Sequence, residues 1–402
     1  MPSASNRRAR ARPAAPDPLR IAVLAPPWIP VPPPAYGGIE AVVSLLCDEL
    51  VVRGHDVTLF APPGSESAAR VCTPLESTHA RQIGASLFEA DHVGVAFDAI
   101  DRAAGRGRPF DVVHDHSGPT AVAMAHRLPV PVVHTVHAPF NAETSPYYTR
   151  HGHKVWLVAI SESQASDAPV GVHVADIVSN PLRVEEWPFQ AVKDDFLLWM
   201  GRMDPAKGAH RAIAVARRAG CRLVLAGPVQ PGQEGYFHTE VEPHVDGEEV
   251  VYVGEIGGPR RRLLFAQARA LLMPIRWAEP FGLVMVEALA CGTPVLAFPA
   301  GAAAEIVIDG ENGFHAADEE QMADAVGRLD AIDPAHCRET VASRYAATAV
   351  AVAYGSVYRR AIRAARSGRR TQGASRRSNA PPASVQGCDA QVPGRPAGAP
   401  LT

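Results

Sequence analysis

From residue 19 the chain alternates between two hydrophobic patterns. Short, continuous apolar runs rich in Val, Ile and Leu, bounded by Gly, Pro or Asp, fall at 20–26, 55–62, 110–116, 131–137, 155–161 and 174–180. Runs of this kind read as parallel strands buried on both faces. The segments between them look helical, for example 40–53 and 87–103. Strand and helix taking turns predicts a doubly wound α/β domain. The rhythm breaks at 181–195 (PLRVEEWPFQAVKDD), where two prolines and a cluster of acids read as a linker. It then restarts, with strands at 196–201, 222–227, 250–255, 270–275 and 294–299 and helices at 208–219, 259–268, 282–291, 318–329 and 346–366. The pattern divides the chain into 1–18, 19–183, 184–345, 346–366 and 367–402. Two open parallel sheets facing each other leave a cleft at their strand C-termini, so the loops that follow strands are where chemistry is expected.

One such loop carries an anomaly. Between Glu279 and Glu305 the only charged side chain is Glu287, in the stretch RWAEPFGLVMVEALAC (276–291). Glu279 precedes the helix and Glu287 sits about one and a half turns inside it. A carboxylate in an apolar helix costs several kcal/mol unless something hydrogen-bonds to it. A ribose diol supplies two hydroxyl donors, and Gly282 at the helix mouth would let a phosphate approach free backbone N–H groups. The alternative is that Glu287 pairs with a cation from a neighbouring helix.

Other strand-end loops add candidates. GRMDPAKG (201–208) places Arg202 and Lys207 around an Asp-Pro turn, two cations that can balance a diphosphate without a metal. YGGIE (36–40) places Gly37 and Gly38 at a helix mouth, where small residues admit a diphosphate. Backbone near Ile256 could read a base edge. His116 and His137 end two strands and are expected to face the cleft, while His114 and His134 fall within strands. These four histidines mimic metal-ligand spacing, but no acidic pattern completes a site, so no metal is expected.

Composition narrows the class. The 402 residues are 47% hydrophobic and 20% charged with net charge −3, which gives no reason to expect nucleic acid as a partner. The six cysteines are scattered at 47, 72, 221, 291, 337 and 388, without a CxxC, which points to a reducing, cytoplasmic setting. No apolar run reaches the ~18 residues of a membrane helix. The basic start and the Gly/Pro/Arg-rich tail read as disordered, and their arginines are candidates for peripheral contact with an acidic membrane.

The motifs together resemble family 4 retaining glycosyltransferases: EPFGLVMVE (279–287) followed by ALACGTPVLA, GRMDPAKG, YGGIE, GAAAEIVIDG (301–310) and NGFHAAD (312–318). The resemblance spans about 19–360. It implies the GT-B architecture: two Rossmann-like domains around a central cleft, acceptor in the first and nucleotide-sugar in the second, with the last helix returning to the first. It implies transfer of a hexose, glucose or mannose, from a UDP- or GDP-sugar, with retention, no cofactor and no required metal. It assigns Arg202 and Lys207 to the diphosphate and Glu279 to hexose hydroxyls. Phe281, Gly282, Leu283 and Val284 would bind sugar and phosphate, Glu287 the ribose, Gly37 and Gly38 the diphosphate, and His137 the reacting centre. The acceptor, a small molecule, lipid or glycan, would meet first-domain loops that include Tyr36, His116 and Tyr147. The stretch 24–43 is also similar to bacterial members labelled pterin glucosyltransferases. A sugar-nucleotide epimerase on the same fold and a non-catalytic sugar-binding protein remain as alternatives.

Overall fold

Strand β1 (Arg20–Leu24) shows why the apolar runs are continuous: Ile21 and Val23 pack into one core cluster and Ala22 and Leu24 into another, on the opposite face. The computed structural model of the chain describes residues 17–376. Six more strands join β1: β2 (Asp56–Phe60), β3 (Arg70–Cys72), β4 (Val112–Asp115), β5 (Val132–Thr135), β6 (Trp156–Ala159) and β7 (Val174–Ile177). All pair in parallel, in the order β3-β2-β1-β4-β5-β6-β7. A second parallel sheet holds β8 (Phe196–Met200), β9 (Arg222–Ala226), β10 (Val250–Tyr252), β11 (Ala270–Met273), β12 (Val295–Ala297) and β13 (Gly313–His315), in the order β10-β9-β8-β11-β12-β13. The strand order reverses beside β1 in one sheet and beside β8 in the other, the two places where such sheets open a crevice. Strands β3 and β13 were not expected, because Arg70-Val71-Cys72 and Gly313-Phe314-His315 lie in no continuous apolar run.

The linker segment is packed, not loose. Leu182, Val184 and Trp187 are buried in the core of the second half. Two of its acids are paired: Glu186 with Arg183 and Arg262, and Asp195 with Arg269. The chain crosses between halves twice, side by side, with Leu182 bridging to Ala346 and exchanging backbone hydrogen bonds with Tyr345 and Ala347. The helix Ala347–Arg376 then lays Val350, Tyr354, Val357 and Tyr358 against the first sheet's core, as the resemblance implied. It continues past the end expected at 366, since no proline interrupts it. The remaining terminal segments expected to be disordered, 1–16 and 377–402, lie outside the described residues. No helix among the described residues is long and apolar enough to cross a membrane.

A buried polar network ties the last helix to the first sheet. The Tyr354 hydroxyl bonds Thr135 Oγ1 at 2.8 Å, Thr135 Oγ1 bonds His114 Nε2 at 2.8 Å, and the Tyr358 hydroxyl bonds His114 Nδ1 at 2.7 Å. His134 is held between Asp115 Oδ2 (2.5 Å) and the Tyr148 hydroxyl (3.0 Å). The strand histidines are thus satisfied by side chains, not by backbone groups.

Burial makes these imidazoles poor proton acceptors. It holds His114 and His116 well below the usual His value and pushes His92 down to about 4. The unfolded chain takes up those protons near pH 6.5. Below about pH 6.5 the unfolded state therefore binds more protons, and stability falls as pH falls, by up to about 1.4 kcal/mol per pH unit for each imidazole. Burial also raises Glu40, to about 7, and Glu89. These act in the opposite sense, losing stability as pH rises through the same window, but they are outnumbered. The thermal unfolding midpoint is expected to drop steadily from pH 7 to pH 5, measured by circular dichroism; a midpoint that holds or rises over that range contradicts the account.

Candidate active site

The two switch points open into one cavity of about 630 Å³, lined by loops from both halves. Its second-half wall begins at the end of β8. There Asp204 closes the turn, with Lys207 N–H and Gly208 N–H donating to its carbonyl and Ala206 N–H to its carboxylate. Gly208 has φ +79°, and a Cβ there would lie 2.7 Å from the Pro274 carbonyl, so the turn needs glycine. The turn delivers Arg202 and Lys207 into the cavity. Arg202 Nη1 donates to Gln230 Oε1 at 3.1 Å, while its Nε is buried and meets no protein acceptor. Lys207 Nζ donates to Glu279 Oε2 at 2.5 Å and lies 4.9 Å from the Trp277 ring centroid.

Glu279 is positioned from behind. A Cβ on Gly301, whose φ is +60°, would lie 2.4 Å from Glu279 N, and Ala302 N–H donates to the Glu279 carbonyl at 2.9 Å. Gly282, at φ +77°, turns the chain into the helix Leu283–Ala290. Phe281, Gly282, Leu283, Val284 and Glu287 all line the cavity, as does Ile256 beyond β10.

Glu287 is buried and accepts both arms of Arg261, Nη1 to Oε1 at 2.7 Å and Nη2 to Oε2. Arg261 comes from the adjacent helix Gly258–Gln267 and lies over the rings of Trp187 and Phe265. The cation from a neighbouring helix is therefore present. The sequence pattern does not single it out, because Arg260, Arg261 and Arg262 form a run that resembles ordinary surface charge. Two donors do not exhaust a carboxylate's acceptor sites, and Arg261 itself lines the cavity. Glu255 is a second residue that the motifs do not flag; its Oε1 accepts from Tyr36 N–H at 3.1 Å.

The first-half wall contains Tyr36, Gly37, Gly38 and His137. A Cβ on Gly37, at φ +151°, would strike the Pro33 ring at 2.6 Å. His137 Nε2 bonds His116 Nδ1 at 2.8 Å. Burial, aided by the nearby His134, pushes His137 down to about 3, so its ring is neutral. Two expectations are corrected. His116 does not line the cavity: it is buried behind His137 and tilted against His114, which Tyr358 of the last helix holds from the other side. Tyr147 does not line the cavity either; its hydroxyl donates to the Pro119 carbonyl. No group of three or more His, Cys, Asp or Glu suited to a metal occurs among the described residues.

The two halves touch at few places. Glu305 accepts from Glu162 N–H and Ser163 N–H, each at 3.1 Å, and Gly257 sits under the first-half loop.

Two family models match the chain: Glycosyltransferase Family 4 over residues 36–153 and Glycosyl transferases group 1 over residues 184–335. A glycogen synthase of Mycobacterium tuberculosis is 28% identical over 334 residues, covering 71% of this chain and 80% of that protein. A D-inositol 3-phosphate glycosyltransferase of Mycobacterium avium is 28% identical over 420 residues, covering 89% of this chain and 98% of that one. Among solved structures, AviGT4, a glycosyltransferase involved in avilamycin A biosynthesis, superposes with a TM-score of 0.63 at 27% identity, over 86% of this chain and 99% of its own. The likeness of 24–43 to pterin glucosyltransferases is not carried by these relatives, which bear other activities.

Gly257 offers a direct test of whether the two walls must meet. Its φ is ordinary, but a Cβ would lie 2.5 Å from the Pro34 carbonyl and 2.8 Å from Ala35 Cα, across the cleft. Gly257→Ala is expected to prop the cleft open and lower turnover by about 10²-fold, the cost of an ångström-scale misplacement. The unfolding midpoint should move little, because no core contact is lost. Unchanged turnover would show that the walls need not approach this closely.

Proposed function

For a chain that is a glycosyltransferase of the GT-B type, we propose retaining transfer of a hexose, glucose or mannose, from a UDP- or GDP-sugar to an acceptor hydroxyl, by a member of family 4 that needs no metal. The observation that carries this reading is the set of charged groups on one wall of the cavity: Arg202, Lys207 and Arg261 beside Glu279 and Glu287. Arg202 keeps a buried N–H without a protein acceptor, a donor suited to a phosphate oxygen.

In this reading the diphosphate lies between Arg202, Lys207 and the mouth of the helix Leu283–Ala290. As it arrives, Lys207 shares its charge between Glu279 and the phosphate, and Glu279 turns to accept from hexose hydroxyls. Glu287, oriented by Arg261, accepts from the ribose diol. The bond from the anomeric carbon to the diphosphate breaks, the acceptor oxygen bonds to the same face, and the acceptor proton passes to the departing phosphate oxygen. Negative charge grows on that oxygen as the bond lengthens. The two cations and the helix mouth stabilise it there, and this stabilisation supplies most of the rate acceleration. In the same reading His137, neutral and hydrogen-bonded to His116, exchanges a hydrogen bond with a hydroxyl near the reacting carbon. No carboxylate is needed as nucleophile, so both can serve in binding. Closure of the two walls keeps water from the activated sugar.

Lys207→Ala is expected to lower kcat by about 10²–10³-fold, with a much smaller loss of stability, measured by steady-state release of nucleoside diphosphate and by thermal unfolding. Activity close to that of the unaltered protein would remove Lys207 from the reaction. An epimerase would interconvert the donor sugar with no acceptor added, and a binding protein would release no nucleotide; either result would replace the reading.

A further inference from the structure

The two walls of the cavity differ in charge. Every Lys, Arg, Asp and Glu among its described lining residues belongs to the second half. The first-half wall is built chiefly from Pro33, Tyr36, Ile39, Ile83, Pro139 and Ile160, with His137 and Asn180 as its polar groups other than the tyrosine hydroxyl. We propose that the acceptor is an uncharged molecule with an apolar body and a free hydroxyl, seated on this wall, and not a phosphorylated sugar. The proposal rests on the transferase reading above, which assigns the charged wall to the donor.

Three observations support it. First, the only titratable ring on the wall besides Tyr36, His137, is neutral, because burial and the nearby His134 hold it far below the usual value. It can exchange hydrogen bonds with a hydroxyl but cannot pair with an anion. Second, the cations opposite are balanced by carboxylates before any ligand arrives. Lys207 is paired with Glu279 and Arg261 with Glu287, Arg202 reaches Gln230, and Glu255 adds a third carboxylate. Three cations and three carboxylates leave no net positive charge for a second anion once a diphosphate is bound. A phosphate on the acceptor would lose its hydration against proline, alanine and isoleucine with no cation to replace it, which is strongly unfavourable.

Third, part of the apolar lining is open to solvent. Ile83, which lines the cavity, is 50% exposed. An exposed aliphatic side chain in the lining of a cleft is what an apolar ligand would cover. Tyr36, 40% exposed, adds an amphipathic ring whose backbone N–H is already fixed by Glu255.

The test reads acceptor binding directly, because Trp199 and Trp277 line the same cavity and report occupancy by their fluorescence whether or not the donor assignment holds. The full chain is titrated with hexyl glucoside, maltotriose and D-inositol 3-phosphate, and UDP and GDP are tested separately by thermal shift. The expected result is a Kd for hexyl glucoside at least about tenfold below those of the other two. Ile83→Arg, at a half-exposed position the fold does not depend on, should reverse the order by weakening hexyl glucoside and tightening D-inositol 3-phosphate. Tighter binding of D-inositol 3-phosphate or of maltotriose by the unaltered chain would overturn the proposal, and so would three equal affinities. Absence of any shift with UDP or GDP would count against the donor reading instead, leaving the acceptor result to stand by itself.

Discussion

A carboxylate cannot remain in an apolar wall without a partner, and that constraint shapes this cavity. Glu287 is 6% exposed within a helix whose other residues are apolar. The fold meets its charge with the paired donors of Arg261, brought from the next helix and stacked on Trp187 and Phe265. Glu279 is met in the same way by Lys207. Each pair holds a carboxylate in place while leaving acceptor sites for hydroxyl groups. A buried pair of this kind is weak evidence for stability; its value here lies in orientation.

The contacts that join the two walls include two adjacent crossings at Leu182 and Ala346, the Glu305 carboxylate on the backbone of Glu162 and Ser163, the Glu255 carboxylate on the backbone of Tyr36, and the close approach of Gly257 to the loop at Pro34. Few contacts across a cleft are what a fold that opens and closes around substrate requires. The last helix adds rigidity on one side. Its Tyr358 and Tyr354 fix His114 and Thr135, His114 backs His116, and His116 backs His137 at the cavity wall.

The fold was largely legible in the sequence because strands buried on both faces leave continuous apolar runs, and eleven of the thirteen strands carry one. The second-half lining of the cavity was legible for a related reason: Arg202, Lys207, Glu279 and Gly282 lie in loops that follow strands, where position along the chain fixes position in the cleft. Arg261 was not, since its partner lies 26 positions away and its neighbours are also arginines. His116 and Tyr147 were misplaced because sequence does not reveal which side of a strand end faces the cleft and which faces the next layer. For His116 that layer is His114, itself held by a tyrosine more than two hundred residues later.

The most direct measurement is a crystal structure of the chain soaked with UDP or GDP. The diphosphate oxygens are expected within about 3 Å of Arg202, Lys207 and the first N–H groups of the helix Leu283–Ala290, with the ribose hydroxyls on Glu287 while Arg261 keeps its grip. A nucleotide bound away from these groups, or one whose diphosphate points from the cations into solvent, would contradict it.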